Sequence, residues 1–217
     1  LSLAIFDLDH TLLAGDSDHA WGEFLASRGW VDPDAHRRAN DRYFAQYQAG
    51  QLDIREYLAF ALAPLAGRER AELDALHREF MAARILPMIT ASARALVERH
   101  RARGDRLLIV TSTNRFVTAP IAREFGIEHL LATDPEERDG RYTGRVAGTP
   151  CYREGKVERL REWLAVHRET LEGSWGYSDS HNDLPLLQLV AHPVAVDPDE
   201  ILRREAERRG WPIISLR

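Results

Sequence analysis

The chain has 217 residues, 44% of them hydrophobic and 29% charged, with a formal net charge of -5. That composition excludes a disordered or membrane-embedded polypeptide, and the acidic balance gives no field suited to gripping a nucleic-acid backbone or an anionic membrane. A single cysteine, Cys151, excludes an intrachain disulfide framework and a cysteine zinc cluster, and predicts a buried, inert thiol in a reducing, cytoplasmic setting.

Residues 4–13, AIFDLDHTLL, read as an apolar strand that ends on two carboxylates, Asp7 and Asp9. Charges placed there repel one another and are costly to desolvate, so a compensating group, most simply a cation, is expected beside them. No basic leader with an apolar core precedes this strand, and no run approaches the roughly 20 apolar residues of a spanning helix. The chain is therefore expected to be soluble and unexported.

Residues 17–86 carry almost no strand signal and four stretches of helical spacing. Trp21, Phe24 and Leu25 share one side of a helix that stops at Gly29; Tyr43, Phe44 and Tyr47 cluster before Gly50. Ile54, Leu58, Ala61 and Leu65 recur at steps of three and four, as do Leu73, Leu76 and Phe80. These predict a small helical bundle, its aromatic residues in the bundle core.

From residue 90 the pattern becomes helix and strand in alternation: TASARALVERHRARG, RLLIVT, FVTAPIAREFG, HLLATD, EGKVERLREWLAVH, SWGYSD, NDLPLLQLVA, HPVAVDP, EILRREAERRG. An Asp139-Gly140 pair marks a hairpin turn. Alternation of this kind predicts an α/β, doubly wound parallel-sheet core of Rossmann-like type. An isolated strand ahead of a helical bundle has no pairing partner, so the opening strand is assigned to that sheet. Residues 1–16 and 87–217 then form one core domain, and residues 17–86 an all-helical insertion tethered at both ends.

Ligands of open parallel sheets collect at the carboxyl ends of the strands. There the sequence delivers Asp7 and Asp9, then Thr111 and Ser112, then Asp179 with Asn182 and Asp183 close behind, while Lys156 opens a helix. An oxygen-rich, multi-carboxylate set suits Mg2+, which keeps waters and binds substrate phosphate. With the metal and Lys156 neutralising charge, a phosphoryl group fits between Asp7 and the Thr111 hydroxyl. One carboxylate is then available to attack phosphorus while its neighbour manages the proton of the leaving group.

DLDHT at 7–11, the strand ending in Thr111, Lys156 and DSHND at 179–183 resemble, in order, the four motifs of the haloacid dehalogenase superfamily of aspartyl-phosphate phosphatases. GYSDSHNDLPLL resembles the branch containing phosphoserine phosphatase. The resemblance implies Asp7 as nucleophile and Asp9 as general acid and later base, with Thr111 on the phosphoryl group and Lys156 offsetting charge. It implies Mg2+ on Asp7, Asp179 and the Asp9 carbonyl, Asp183 orienting metal water or Lys156, and Asn182 near the phosphate; Ser112, next to Thr111 at its strand end, is a further candidate substrate contact. The helical insertion resembles the cap of that branch, which closes over the site and reads the leaving group.

In that branch an acidic residue nine positions after the nucleophile contacts the substrate amine, and here it is Asp16. A small soluble phosphomonoester is the expected substrate, phosphoserine or histidinol phosphate among the candidates. A phosphomutase using the same aspartyl-phosphate and a non-hydrolytic phospho-aspartate signalling module are the alternatives. Asp16 is also placed to cap the helix beginning near Ser17, and Asp183 to cap the helix beginning near Leu184. His10 and His181 flank acidic motifs, but Mg2+ prefers oxygen, so neither is expected to be a ligand. His19 is expected at the surface or in a pocket wall.

Overall fold

Leu3–Phe6 forms the first strand, β1, and all four side chains are buried. A strand apolar at consecutive positions is covered on both faces, as central strands of parallel sheets are. The computed structural model, which describes residues 2–217, places β1 at the centre of a seven-stranded sheet. The other strands are β2 (Arg106–Asn114), β3 (His129–Arg138), β4 (Arg141–Ala147), β5 (Trp175–Ser178), β6 (His192–Val196) and β7 (Ile213–Ile214). Their order is β4-β3-β2-β1-β5-β6-β7. Every pairing is parallel except the β3–β4 hairpin. At the tip of that hairpin Asp139 and Gly140 both take positive φ, 50° and 75°, the backbone of a primed two-residue turn.

The chain winds from β1 through β2 and β3 in one direction and through β5, β6 and β7 in the other. The crevice between β1 and its neighbours is thus the topological switch point, where an open α/β sheet exposes strand ends to a ligand.

Between β1 and β2 the chain is helical: α1 (Ser17–Ser27), α2 (Pro33–Gln48), α3 (Ile54–Leu62) and α4 (Arg70–Phe80), then tight turns to Met88. Asp16, Asp32 and Asp53 cap the first three, their carboxylates accepting backbone N–H groups of the opening turn. The helical block is packed onto the sheet layer. Trp21 of α1 meets Phe80 of α4 edge-on at 5.0 Å and Phe116 of α6 (Arg115–Glu124) at 5.6 Å between ring centres. The remaining helices are α5 (Ala91–Ala102), α7 (Glu154–His167), α8 (Leu184–Leu187) and α9 (Glu200–Arg209).

Phe6 and Ile109 pack in the cluster that holds Trp21, Phe24 and Leu96. Ile5, Leu108 and Val110, pointing the other way, pack with Cys151, Leu160 and Trp163. Helices therefore cover both faces, as the consecutive apolar residues of β1 and β2 require. The Cys151 thiol is pushed up to about 12, by burial foremost, and is inert as expected. No helix among the described residues is long and apolar enough to cross a membrane.

Candidate active site

β1 ends at Phe6, and the next residue, Asp7, lies at the carboxyl edge of the sheet with only 6% of its surface exposed. Its backbone N–H is still held by the Tyr177 carbonyl of β5 at 2.9 Å, which fixes the side chain over the switch point. The Lys156 Nζ, on the first turn of α7, donates to Asp7 Oδ1 at 2.7 Å and to Asp183 Oδ2 at 2.8 Å. Lys156 is 2% exposed. Burial opposes its charge, but Asp183 and Asp7 outweigh burial and hold the ammonium well above its usual range. Ser178, the last residue of β5, also donates to Asp183 Oδ2, at 2.7 Å.

Two carboxylates sharing one ammonium leave negative charge uncompensated, and the rest of the floor adds more. Asp179 follows β5, and Thr11 donates to its Oδ1 at 2.9 Å while the Asp179 N–H returns a bond to the Thr11 hydroxyl at 3.1 Å. The Thr11 hydroxyl also lies 3.3 Å from Asp7 Oδ2, bringing the two carboxyls together. Burial first, then the Asp7 charge, hold the Asp179 carboxyl well above its ordinary value. Asp7 is also raised, by burial foremost, against the pull of Lys156. Such a pair gains from a divalent cation. Among the described residues no three acidic, histidine or cysteine side chains form a metal cage. The donor set therefore fits an ion that takes two carboxylates and completes its shell from main-chain carbonyl, water and phosphate, as Mg2+ does.

Asp9 leaves β1 in an extended conformation and His10 turns left-handed, φ 56°, folding the loop back so that the His10 N–H reaches the Gly15 carbonyl at 2.9 Å. The Asp9 carboxyl is then gripped on both oxygens. The Ser17 N–H at the start of α1 donates to Oδ1 at 2.6 Å, and the Thr113 hydroxyl donates to Oδ2 at 2.8 Å. Asp9 keeps some exposure towards the cavity, yet burial and then the neighbouring Asp16 hold its carboxyl well above the usual range. Across the floor, Thr111 Oγ1 accepts the Thr113 N–H at 3.2 Å, which leaves its own proton free to be donated.

Above these groups is a cavity of about 80 Å3, roofed by the helical block. Asp7, Asp9, Thr111, Ser112 and Asp179 line its floor, and Asp16, Asp18 and His19 of the α1 segment line one wall. Asp16 does cap α1, its Oδ1 accepting the N–H groups of Asp18 at 2.8 Å and His19 at 2.9 Å.

Three expectations need correction. Asp183 precedes α8 but makes no side-chain cap there; its carboxylate is drawn to Lys156 and Ser178 instead, a charge-assisted arrangement stronger than a cap. Tyr43, Phe44 and Tyr47 are not confined to the bundle core: all three line the cavity, although Tyr43 is itself buried. Asn182 is buried beside the cavity, outside its lining. Its amide oxygen accepts from Arg153 at 2.9 Å and Tyr152 at 3.2 Å, and its NH2 donates to the Tyr47 carbonyl at 3.3 Å. Arg153 in turn donates to the Gly50 carbonyl at 2.6 Å, so these groups tie the end of α2 to the sheet layer.

Sequence reading passed over Thr113, Thr11, Asp18 and Tyr57. A strand's period of two was the available signal for Thr113, which shares a face with Thr111. Asp18 had no local signal, because its partner Tyr57 lies on another helix.

The profile of the haloacid dehalogenase-like hydrolases matches residues 4–188, a span that contains every floor residue described above. The chain belongs to this family. It is 48% identical to a histidinol-phosphatase of Neisseria meningitidis serogroup C over 100% of this chain and 99% of that protein. A protein of Mycobacterium tuberculosis named phosphoserine phosphatase SerB1 is 34% identical, over 99% of this chain and 70% of its own length. Among solved structures, a Bordetella pertussis protein of unknown function is 50% identical with a TM-score of 0.94, covering 100% of this chain and 99% of that one. The chain is thus a phosphatase of the family, with its fold and its acidic strand ends.

Proposed function

We propose that the protein hydrolyses a small phosphomonoester whose leaving alcohol carries a positive charge and no carboxylate, histidinol phosphate being the leading candidate. The observation that carries this reading is the chemistry of the cavity wall. Asp9, Asp16 and Asp18 face it, and no Arg or Lys is among the described residues that line it. A phosphoserine carboxylate would enter an acidic wall with no Arg or Lys among the described residues to meet it, a like-charge arrangement that disfavours binding. The relative named histidinol-phosphatase, aligned over its whole length, supports the same choice.

In the proposed reaction an Asp7 carboxylate oxygen attacks phosphorus and the bond from phosphorus to the leaving oxygen breaks, giving an acyl phosphate on Asp7. Asp9, whose carboxyl burial and then Asp16 hold well above the usual range, gives its proton to the departing alkoxide. As carboxylate it then takes a proton from water, which attacks phosphorus and releases phosphate and free Asp7. Lys156 holds and neutralises Asp7, and the Thr111 hydroxyl donates to a phosphoryl oxygen, with Ser112 beside it. Mg2+ would be held by the Asp7 and Asp179 carboxylates and the Asp9 main-chain carbonyl, and when bound it supplies charge for the transferring phosphoryl group. Asp183 acts on Asp7 through the Lys156 ammonium that both carboxylates share.

Residues 17–86 act as the cap of this site, on the proposal made here. The Ser17 N–H that steadies Asp9 belongs to the first turn of that block, so seating the block and positioning the acid are one event. The test is kcat/KM with Mg2+ for histidinol phosphate against phosphoserine. A preference of at least about tenfold for histidinol phosphate is expected from one unmatched buried charge; the reverse order contradicts the reading.

A further inference from the structure

We infer that the Asp18 carboxylate, oriented by Tyr57, is the group that receives the positive end of the leaving alcohol, in preference to Asp16. This rests on the cationic substrate proposed above and assigns the residue that selects it.

Asp18 lies on the first turn of α1, 8% exposed, in the wall of the cavity. The Tyr57 hydroxyl of α3 donates to its Oδ2 at 2.5 Å. That single neutral donor is its only side-chain partner among the described residues, and no Arg or Lys lines the cavity around it. A carboxylate removed from water with no Arg or Lys beside it is costly, and burial, with Asp16 adding to it, pushes Asp18 up to about 7 against the Tyr57 hydrogen bond and the neighbouring His19. A cation entering the cavity removes that cost, so affinity is gained where the fold left a charge unpaired. Tyr43, Phe44, Tyr47 and Tyr57 line the same space, and aromatic rings beside a carboxylate suit an organic cation.

Asp16 is differently employed. Its Oδ1 already accepts two backbone N–H bonds that begin α1, and its position follows from that cap. Asn serves equally well as a cap, and Asn at 18 still accepts from Tyr57, so both substitutions remove charge while keeping the local hydrogen bond.

The experiment compares the wild type, Asp18→Asn and Asp16→Asn on histidinol phosphate and the neutral p-nitrophenyl phosphate. Inhibition of the second substrate by histidinol serves as a readout free of the phosphate. Asp18→Asn is expected to lower kcat/KM for histidinol phosphate at least about tenfold more than for p-nitrophenyl phosphate, and to weaken histidinol inhibition by about ten- to a hundredfold. Asp16→Asn is expected to change both substrates by a common factor. An unchanged substrate ratio in Asp18→Asn, or a selective loss in Asp16→Asn, overturns the inference. If Asp18→Asn loses both activities, Tyr57→Phe, which keeps the carboxylate and removes its orienting bond, must show the selective loss; an equal loss there overturns it as well. Wild-type enzyme that turns over p-nitrophenyl phosphate but not histidinol phosphate refutes the substrate reading itself, and this inference with it. Turnover of both substrates with no selectivity at Asp18 refutes the inference alone.

Discussion

Replacing Asp18 by Asn is expected to make the folded protein more stable at mildly alkaline pH while making it a poorer catalyst for a cationic substrate. In the folded state the Asp18 carboxyl is pushed up from 3.8 to about 7, by burial foremost, whereas in the unfolded chain it titrates near its ordinary value. A gap of about three pH units at roughly 1.4 kcal/mol each comes to about 4 kcal/mol, an upper figure for the cost of ionising this group in the fold. Below about pH 4 both states hold the proton and the cost is absent. As pH rises towards 7 the unfolded chain releases its proton first, so wild-type stability falls, and above 7 the full deficit remains. Asn carries no such proton and keeps the Tyr57 bond. Urea unfolding at about pH 4, 6 and 8 should therefore show the two proteins alike at the lowest pH. The variant should pull ahead by about 1 to 4 kcal/mol at the highest. A variant less stable than wild type at about pH 8, or a difference that does not change with pH, refutes the claim that Asp18 is a buried carboxyl that no Arg or Lys compensates.

Asp9→Asn should harm phosphoryl transfer from alkyl phosphates more than from p-nitrophenyl phosphate, since p-nitrophenolate departs without a proton; single-turnover formation of the phosphoenzyme from each substrate checks this, and equal losses argue against Asp9 as the acid. Lys156→Ala should cost about 3 to 5 kcal/mol in urea unfolding at neutral pH, because Asp7 and Asp183 lose the one ammonium they share; a cost below about 1 kcal/mol would mean the pair is not desolvated as described. Chelation should abolish turnover and added Mg2+ restore it; full activity in chelator removes the metal from the account.

The chemistry-bearing strand ends were legible because each lies in a stretch whose local pattern is unambiguous. Four apolar residues precede Asp7, and EGKVERLREWLAVH coincides with α7 from Glu154 to His167. The Asp139-Gly140 turn was readable for the same reason, being set by two residues' backbone preferences. What escaped was decided by contacts between distant parts of the chain. Asp183 has the sequence context of a helix cap, but Lys156 is 27 residues away and only the fold brings its ammonium within reach. Tyr43, Phe44 and Tyr47 follow helical spacing whether a neighbouring helix or an open cavity lies against them. Asn182 stands in the acidic motif, yet Arg153 and the end of α2 claim its amide. Asp18 looks like any first-turn acid of a helix until Tyr57, 39 residues on, is seen to hold it in the cavity wall.

In the proposed reaction Asp7 carries the phosphoryl group during turnover. Mixing the enzyme with Mg2+ and histidinol phosphate, quenching in acid within one turnover and mapping the peptides by mass spectrometry tests it directly. One phosphoryl group is expected on Asp7, lost together with turnover in Asp7→Asn. Turnover that persists in Asp7→Asn, or a phosphoryl group found on another side chain, would contradict it.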